Sequence, residues 1–169
     1  MKKNLGLFLA IILVQIAPFI SAADTLYPLI YKIDIKEEIS NTTRLYLSNG
    51  LAEAYALGAD AVLIHMNTYG GQVHPADSMR TAILYNPIPV YVFIDNNAAS
   101  AGALISIACK KIYMRKGANI GAATVVNPTG EAMPDKYQSY MRSMMRSTAE
   151  AHGQDLSLIH ISEPTRLAL

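Results

Sequence analysis

The sequence holds a single cysteine, Cys109, so no disulfide can close within the chain and the paired-cysteine spacings of zinc sites are excluded. The thiol sits in an apolar run and reads as a small core residue rather than a reactive group. Charge is scarce as well. The formal net charge is +1, and without Lys2 and Lys3 it becomes about −1. No basic stripe emerges, which argues against a nucleic-acid partner. Internal repeats and low-complexity linkers are lacking, and 169 residues allow one domain with a genuine core, not two. The apolar run Leu5–Ile20 is interrupted by Gln15 and Pro18 and falls short of the roughly twenty residues of a membrane span.

That run is preceded by Lys2 and Lys3 and followed by Ser21-Ala22-Ala23 and then Asp24. A charged start, an apolar centre and small residues ahead of a polar one make a secretory signal. Residues 1–23 are therefore expected to be a signal peptide, an uncleaved membrane anchor being the alternative. The mature chain is expected to be exported, at the periplasmic or extracytoplasmic face.

Beyond residue 24 the chain alternates strands and helices. Leu29–Ile35 and the apolar run Ala61–Met66 read as strands, the second suiting a sheet covered on both faces. Asn41–Leu57 reads as a helix that Ser40 or Asn41 can cap and Gly58 can end; Val73–Tyr85 reads as the next, stopped by Asn86-Pro87. Val90–Ile94, a helix over Ala101–Ala108 and a short strand Ile112–Met114 continue the pattern. Repeated βα units imply an α/β fold with a mostly parallel sheet. Ligands of such sheets bind outside the carboxyl ends of the strands.

Two turns of small residues fall at such ends. Asn97-Ala98-Ala99-Ser100-Ala101-Gly102-Ala103 follows the strand Val90–Ile94, and Asn67-Thr68-Tyr69-Gly70-Gly71 follows Ala61–Met66. Small neighbours keep a serine Oγ uncovered and let backbone N–H groups approach a substrate carbonyl. A serine on one turn and Gly-Gly on another are the equipment of acyl transfer, a nucleophile with an oxyanion hole. The serine also needs a proton acceptor. His65 points from a strand, His74 follows the Gly-Gly turn, His152 closes a helix and His160 lies near the end; none has an evident acidic partner. Pro134–His152 reads as an amphipathic helix with Tyr137, Tyr140, Met141, Met144, Met145 and Thr148 as its apolar stripe. Lys136 begins that helix on the face of Tyr140 and Met144, at the rim of the stripe. Partial desolvation and the positive end of the helix dipole would there lower its pKa and make it a proton acceptor.

Ser100 in Ala-Ala-Ser-Ala-Gly, Gly70-Gly71 after a strand, and Asn119-Ile120-Gly121-Ala122-Ala123 downstream together resemble the NfeD family of membrane-bound, ClpP-class serine proteases. The resemblance runs from about Tyr27 to Gly153 and implies a ClpP/crotonase-like fold, with residues 24–153 as the protease domain. It implies a Ser–Lys dyad with Ser100 as nucleophile and Lys136 as general base. The N–H groups of Gly71 and Ala101 would form the oxyanion hole, with no cofactor and no metal. Membrane association of the full-length protein, a homo-oligomer, and substrates in apolar segments of membrane proteins follow from the same likeness, a stomatin-like protein being the leading candidate. Soluble ClpP relatives carry a histidine where this chain reads Ala122-Ala123-Thr124-Val125-Val126, so a Ser–His–Asp triad is disfavoured. Bacterial signal peptide peptidases also pair serine with lysine, but their lysine precedes the serine. Tyr69 and Glu37 stand where family members often carry Pro and Gly, and neither removes a proposed catalytic group.

The end of the chain departs further. Leu156–Leu169 resembles translated sequencing-adapter read-through, so residues 154–169 are expected to be a non-native or disordered tail and the chain a fragment. Two other readings of the whole stay open. A crotonase-like acyl-CoA enzyme would share the sheet and turns, yet neither special turn holds an acidic residue. A non-catalytic, membrane-associated scaffold of the same fold is the other.

Overall fold

The computed structural model describes residues 27–127 and 129–153; the expected signal peptide and the carboxyl-terminal tail lie outside them. Strand β1 (Ile30–Ile35) leads to helix α1 (Asn41–Ala56), β2 (Ala61–Thr68) to α2 (Val73–Leu84), and β3 (Val90–Ala99) to α3 (Ala101–Ile107). Strands β4 (Lys111–Met114) and β5 (Asn119–Gly121) and helix α4 (Asp135–Ala151) follow. Local chemistry sets these ends. The Thr43 N–H donates to Ser40 Oγ at 3.4 Å and caps α1. Helix α2 stops before Asn86-Pro87, because proline cannot supply the next helical N–H.

The sheet is five-stranded and runs in the order β1-β2-β3-β4, with β5 also on β3. Every ladder between these strands is parallel. Strand β3 is long enough to pair twice, first with β4 through Tyr91–Ile94 and then with β5 through Asn97–Ala99. Its second half, like the end of β2, carries the chain beyond the apolar runs into the two special turns. The fold is thus α/β with a mostly parallel sheet, as expected. The three-residue β5 is an addition.

Alternation along the strands divides the sheet into unequal faces. Ile33, Ile35, Ile64, Met66, Val92 and Ile94 are buried in one core with Leu47 of α1, Met79 of α2 and Leu104 of α3. Burying these side chains against the helices is the main stabilising term, about 1.5–3 kcal/mol for each large aliphatic residue. Cys109 lies in the same core, where burial pushes its thiol well above the ordinary range. On α4 the buried stripe is Met141, Met144, Met145, Thr148 and Ala149.

The opposite face is more open, which corrects the expectation of a sheet covered on both sides. Leu63, His65, Tyr91 and Phe93 are only half-buried there. The reason is polar. His65 sits between two carboxylates, with Nδ1 2.7 Å from Asp34 Oδ1 and Nε2 3.5 Å from Asp95 Oδ2. Arg115 reaches Asp95 Oδ1 at 2.6 Å as an ion pair without hydrogen-bond alignment. A second apolar layer over this face would strand these charges away from water.

The Lys32 ammonium, then the His65 ring, and Lys36 more weakly, hold the Asp34 carboxyl well below the usual carboxylate range. A depressed carboxyl contributes stability above its unfolded pKa, near 3.8, and loses it as pH falls toward the folded value. Asp34→Asn should therefore lower stability at pH 7, by no more than about 1 kcal/mol because the pair is solvated. The gap to the parent protein should narrow steadily from pH 5 to pH 2 and close only below that, as pH approaches the folded value. Urea unfolding across that range checks it, and a gap independent of pH would contradict the assignment.

Candidate active site

Both special turns arrive at the carboxyl ends of neighbouring strands, β2 and β3. After β2, the Gly71 segment pairs in parallel with Ile39: Ile39 N–H donates to Gly70 O at 2.9 Å, and Gln72 N–H donates to Ile39 O at 2.8 Å. These bonds use the groups on either side of Gly71 and turn its own N–H away from Ile39. Gly70 and Gly71 have φ of 107° and 153°, a region closed to most residues. Space is short as well. A Cβ on Gly70 would stand 2.8 Å from Ser100 Cβ and 2.9 Å from Ala99 O, and one on Gly71 would run into the Ile39 carbonyl.

Thr68 ties this turn to its surroundings. Its hydroxyl donates to Glu37 O at 2.8 Å, while Gly70 N–H donates back to Thr68 Oγ1 at 3.2 Å. The methyl of the same residue lies where a Cβ on Gly102 would fall, 2.7 Å away. One buried threonine thereby spaces the Gly-Gly turn from α3. Nothing in the sequence distinguishes it from a threonine that merely ends a strand.

Ser100 occupies the sharp corner between β3 and α3, half-buried, with φ 52° and ψ −113°. A non-glycine residue there costs on the order of 1–3 kcal/mol and must be held by its neighbours. It is held by its N–H, which donates to Gly121 O at 2.7 Å, and by α3, every residue of which is buried. The N–H of Ala101 is the first of α3 and has no intrahelical acceptor. Among the described residues neither it nor the Gly71 N–H finds a hydrogen-bond acceptor. Ser100, the Gly-Gly turn and the start of α3 thus meet in one place, as the sequence leads one to expect.

Lys136 is placed differently. It lies exposed in the first turn of α4, its ammonium over the Tyr137 ring at 5.0 Å from the centroid. The expected desolvated rim is not formed, because the stripe starts later than its pattern implies: Tyr137 and Tyr140 are 41% and 58% exposed. Burial begins at Met141. Lys136 borders a cavity of about 790 Å3 between α2, the segment 125–127 and α4, lined largely by apolar side chains including Met133, Tyr140 and Met144. His74 shares that cavity, and Asp77 beside it is paired with Arg80 at 2.7 Å. Ser100 is not among its lining residues, and no hydrogen bond joins Lys136 to Ser100 among the described residues.

A sequence profile of the NfeD1b N-terminal domain matches residues 29–161, ending inside the tail segment. Membrane protein NfeD1b of Bacillus subtilis is 32% identical over 126 residues, which is 75% of this chain and 29% of that protein. Membrane-bound protease PH1510 of Pyrococcus horikoshii is 26% identical over 138 residues, 77% of this chain and 31% of that protein. The chain spans less than a third of either relative. Among solved structures, a lysine-to-alanine mutant of the 1510-N membrane-bound stomatin-specific protease, in complex with a substrate peptide, superposes with a TM-score of 0.74 at 23% identity. That match covers 80% of this chain and 66% of the other. ClpP1 from Listeria monocytogenes superposes with a TM-score of 0.61 at 24% identity, over 78% of this chain and 76% of its own. The fold is ClpP-like.

Crowding at the corner gives a direct test. Gly70→Ala meets both a strained φ and a filled site and should destabilise by at least about 2 kcal/mol. Gly117→Ala, also at positive φ but with nothing within 4 Å of its Cβ, should cost only about 1 kcal/mol. Equal losses in chemical denaturation would mean that the close approach of Gly70 to Ser100 is not a constraint.

Proposed function

We propose that this chain, which belongs to the family of NfeD1b N-terminal domains, is a serine peptidase domain in which Ser100 and Lys136 form the catalytic dyad. The observation that carries the reading is the strained Ser100 corner, packed against Gly70 and flanked by two backbone N–H groups without acceptors. Such donors, fixed before substrate arrives, are what a developing oxyanion requires, and each is worth roughly 3–4 kcal/mol in known hydrolases.

In this mechanism Lys136, as a neutral amine, takes the proton of Ser100 while Oγ attacks the peptide carbonyl. The tetrahedral oxyanion is held by the N–H groups of Gly71 and Ala101. Lys136 then gives its proton to the leaving amine, and water hydrolyses the ester to free Ser100. The lysine side chain has to leave the Tyr137 ring to meet the serine, and its flexible four-carbon stem is what would move. The apolar cavity beside Lys136 supports substrates with apolar side chains. Membrane association is supported by the relatives, which are membrane proteins. A stomatin-like partner is proposed from the description of the 1510-N protease alone, and an extracytoplasmic site and a homo-oligomer complete the reading.

One observation favours a second reading. Lys136 is exposed and unbonded to Ser100, as it would be in a non-catalytic scaffold of the same fold. A serine-directed fluorophosphonate separates the two. Applied to the full chain from pH 6 to 10, it should label Ser100 at a rate that rises with pH as the base loses its proton. Ser100→Ala should abolish labelling, and Lys136→Ala should slow it by roughly 10²–10⁴-fold. Lys136→Arg should not rescue it, because guanidinium stays protonated. No labelling of the folded parent protein would favour the scaffold.

A further inference from the structure

Met133 N–H donates to Val125 O at 2.9 Å and, with the Val126–Ala132 bridge, ties the segment before α4 to residues 125–126. Within the first turn of α4, which carries Lys136, little holds the helix. Its cap residue, Pro134, offers no side-chain bond, and the Asp135 carboxylate pairs with Arg142 of the same helix at 3.3 Å. The Lys136 ammonium rests on its own neighbour. Gln138 is the exception. Val125 N–H donates to Gln138 Oε1 at 2.9 Å, and Gln138 Nε2 donates to Val125 O at 2.7 Å and to Met133 O at 3.1 Å. The half-buried carboxamide thus treats Val125 as a neighbouring strand would, meeting both its N–H and its C=O. Only an amide side chain offers an acceptor and two donors in that arrangement.

Val125 in turn lies four residues beyond Gly121, the residue whose carbonyl holds the Ser100 N–H. That link can span at most about 14 Å. Ala122, between them, has φ 56°, a further fixed bend. Hydrogen bonds at each end and four residues of backbone between them therefore join the serine corner, through Gly121 and Val125, to the turn that bears Lys136.

We propose that Gln138 is a positioning residue, which sets the Lys136 turn at a fixed place relative to Ser100 by clamping the Val125 backbone. The inference rests on the Ser100–Lys136 reading above. Gln138 acts through Lys136 and touches no substrate.

The test is a double-mutant cycle on the full chain, read as the rate of fluorophosphonate labelling of Ser100, with circular dichroism as the check on folding. Gln138→Met keeps the length of the side chain and removes every bond. It should slow labelling at least about tenfold, since small misplacements of a catalytic group are costly. In a Lys136→Ala background the same substitution should change the rate by less than about twofold, because there is no longer a base to misplace. Wild-type labelling by Gln138→Met, or an equal slowing in both backgrounds, would overturn the proposal. If Gln138→Met does not fold, Gln138→Glu takes its place under the same criteria; it still accepts from Val125 N–H but donates to neither carbonyl. The outcomes are separable. Equal labelling of parent and Lys136→Ala sinks the dyad itself, whereas slowing by Lys136→Ala with no effect of Gln138→Met sinks only the clamp.

Discussion

At the carboxyl end of the sheet the Gly70 backbone lies directly against Ser100, with no side chain between them. A Cβ on Gly70 would meet Ser100 Cβ, Ala99 O and Ala101 N, so the two turns can approach this closely only because one of them is glycine. The rest of the site follows from that contact. The Ser100 backbone stands at positive φ against that glycine, which only a firmly anchored segment tolerates. Anchorage comes from the Gly121 carbonyl on one side and the wholly buried α3 on the other. Thr68 sets the distance between the turns, with its hydroxyl on the Glu37 carbonyl and its methyl over Gly102.

The two halves of the proposed site are built to different standards of rigidity. The serine corner grows from central strands and is braced by the main core. The turn bearing Lys136 projects from a helix whose burial starts at Met141, and it is held by hydrogen bonds of Val125 with Met133 and Gln138 rather than by packing. In water-exposed surroundings a lysine is a mobile, strongly solvated cation, and drying it requires something to close over it. In the proposed mechanism, substrate filling the apolar cavity beside Lys136 would provide that cover.

Much of this was legible in the sequence, because periodicity and punctuation agree. Apolar runs gave the strands, and Ser40, Gly58 and Asn86-Pro87 bounded the helices close to where they lie. The positions of the special turns were legible because glycine and other small residues at strand ends mark where the backbone takes conformations and close approaches that larger residues refuse. What escaped was whatever depends on partners distant in sequence. Strand β5 is three residues long and exists because the tail of β3 offers it a parallel edge. Its composition alone predicts nothing. The run Ala61–Met66 looked uniformly buried, yet His65 faces Asp34 and Asp95 on the open side, a pairing set by register. Lys136 shares a helical face with Tyr140, but whether that face is covered depends on where α4 meets α3, which no local pattern records. Thr68 and Gln138 are ordinary residues whose significance lies wholly in the backbone groups they reach.

The parallel ladders carry a consequence for how the chain reaches this state. A parallel pair cannot be nucleated by a hairpin, and partners such as Asp34 and His65 are 31 residues apart. Each pairing therefore has to wait for an intervening helix to cross the sheet, the kind of topology that folds slowly. The ends of β2, β3 and β5 meet only once those crossings are complete. A nascent or partly denatured chain holds its serine on a flexible segment with no neighbouring turn to strain it. Assembly of the corner is consequently an all-or-none event, coupled to completion of the sheet.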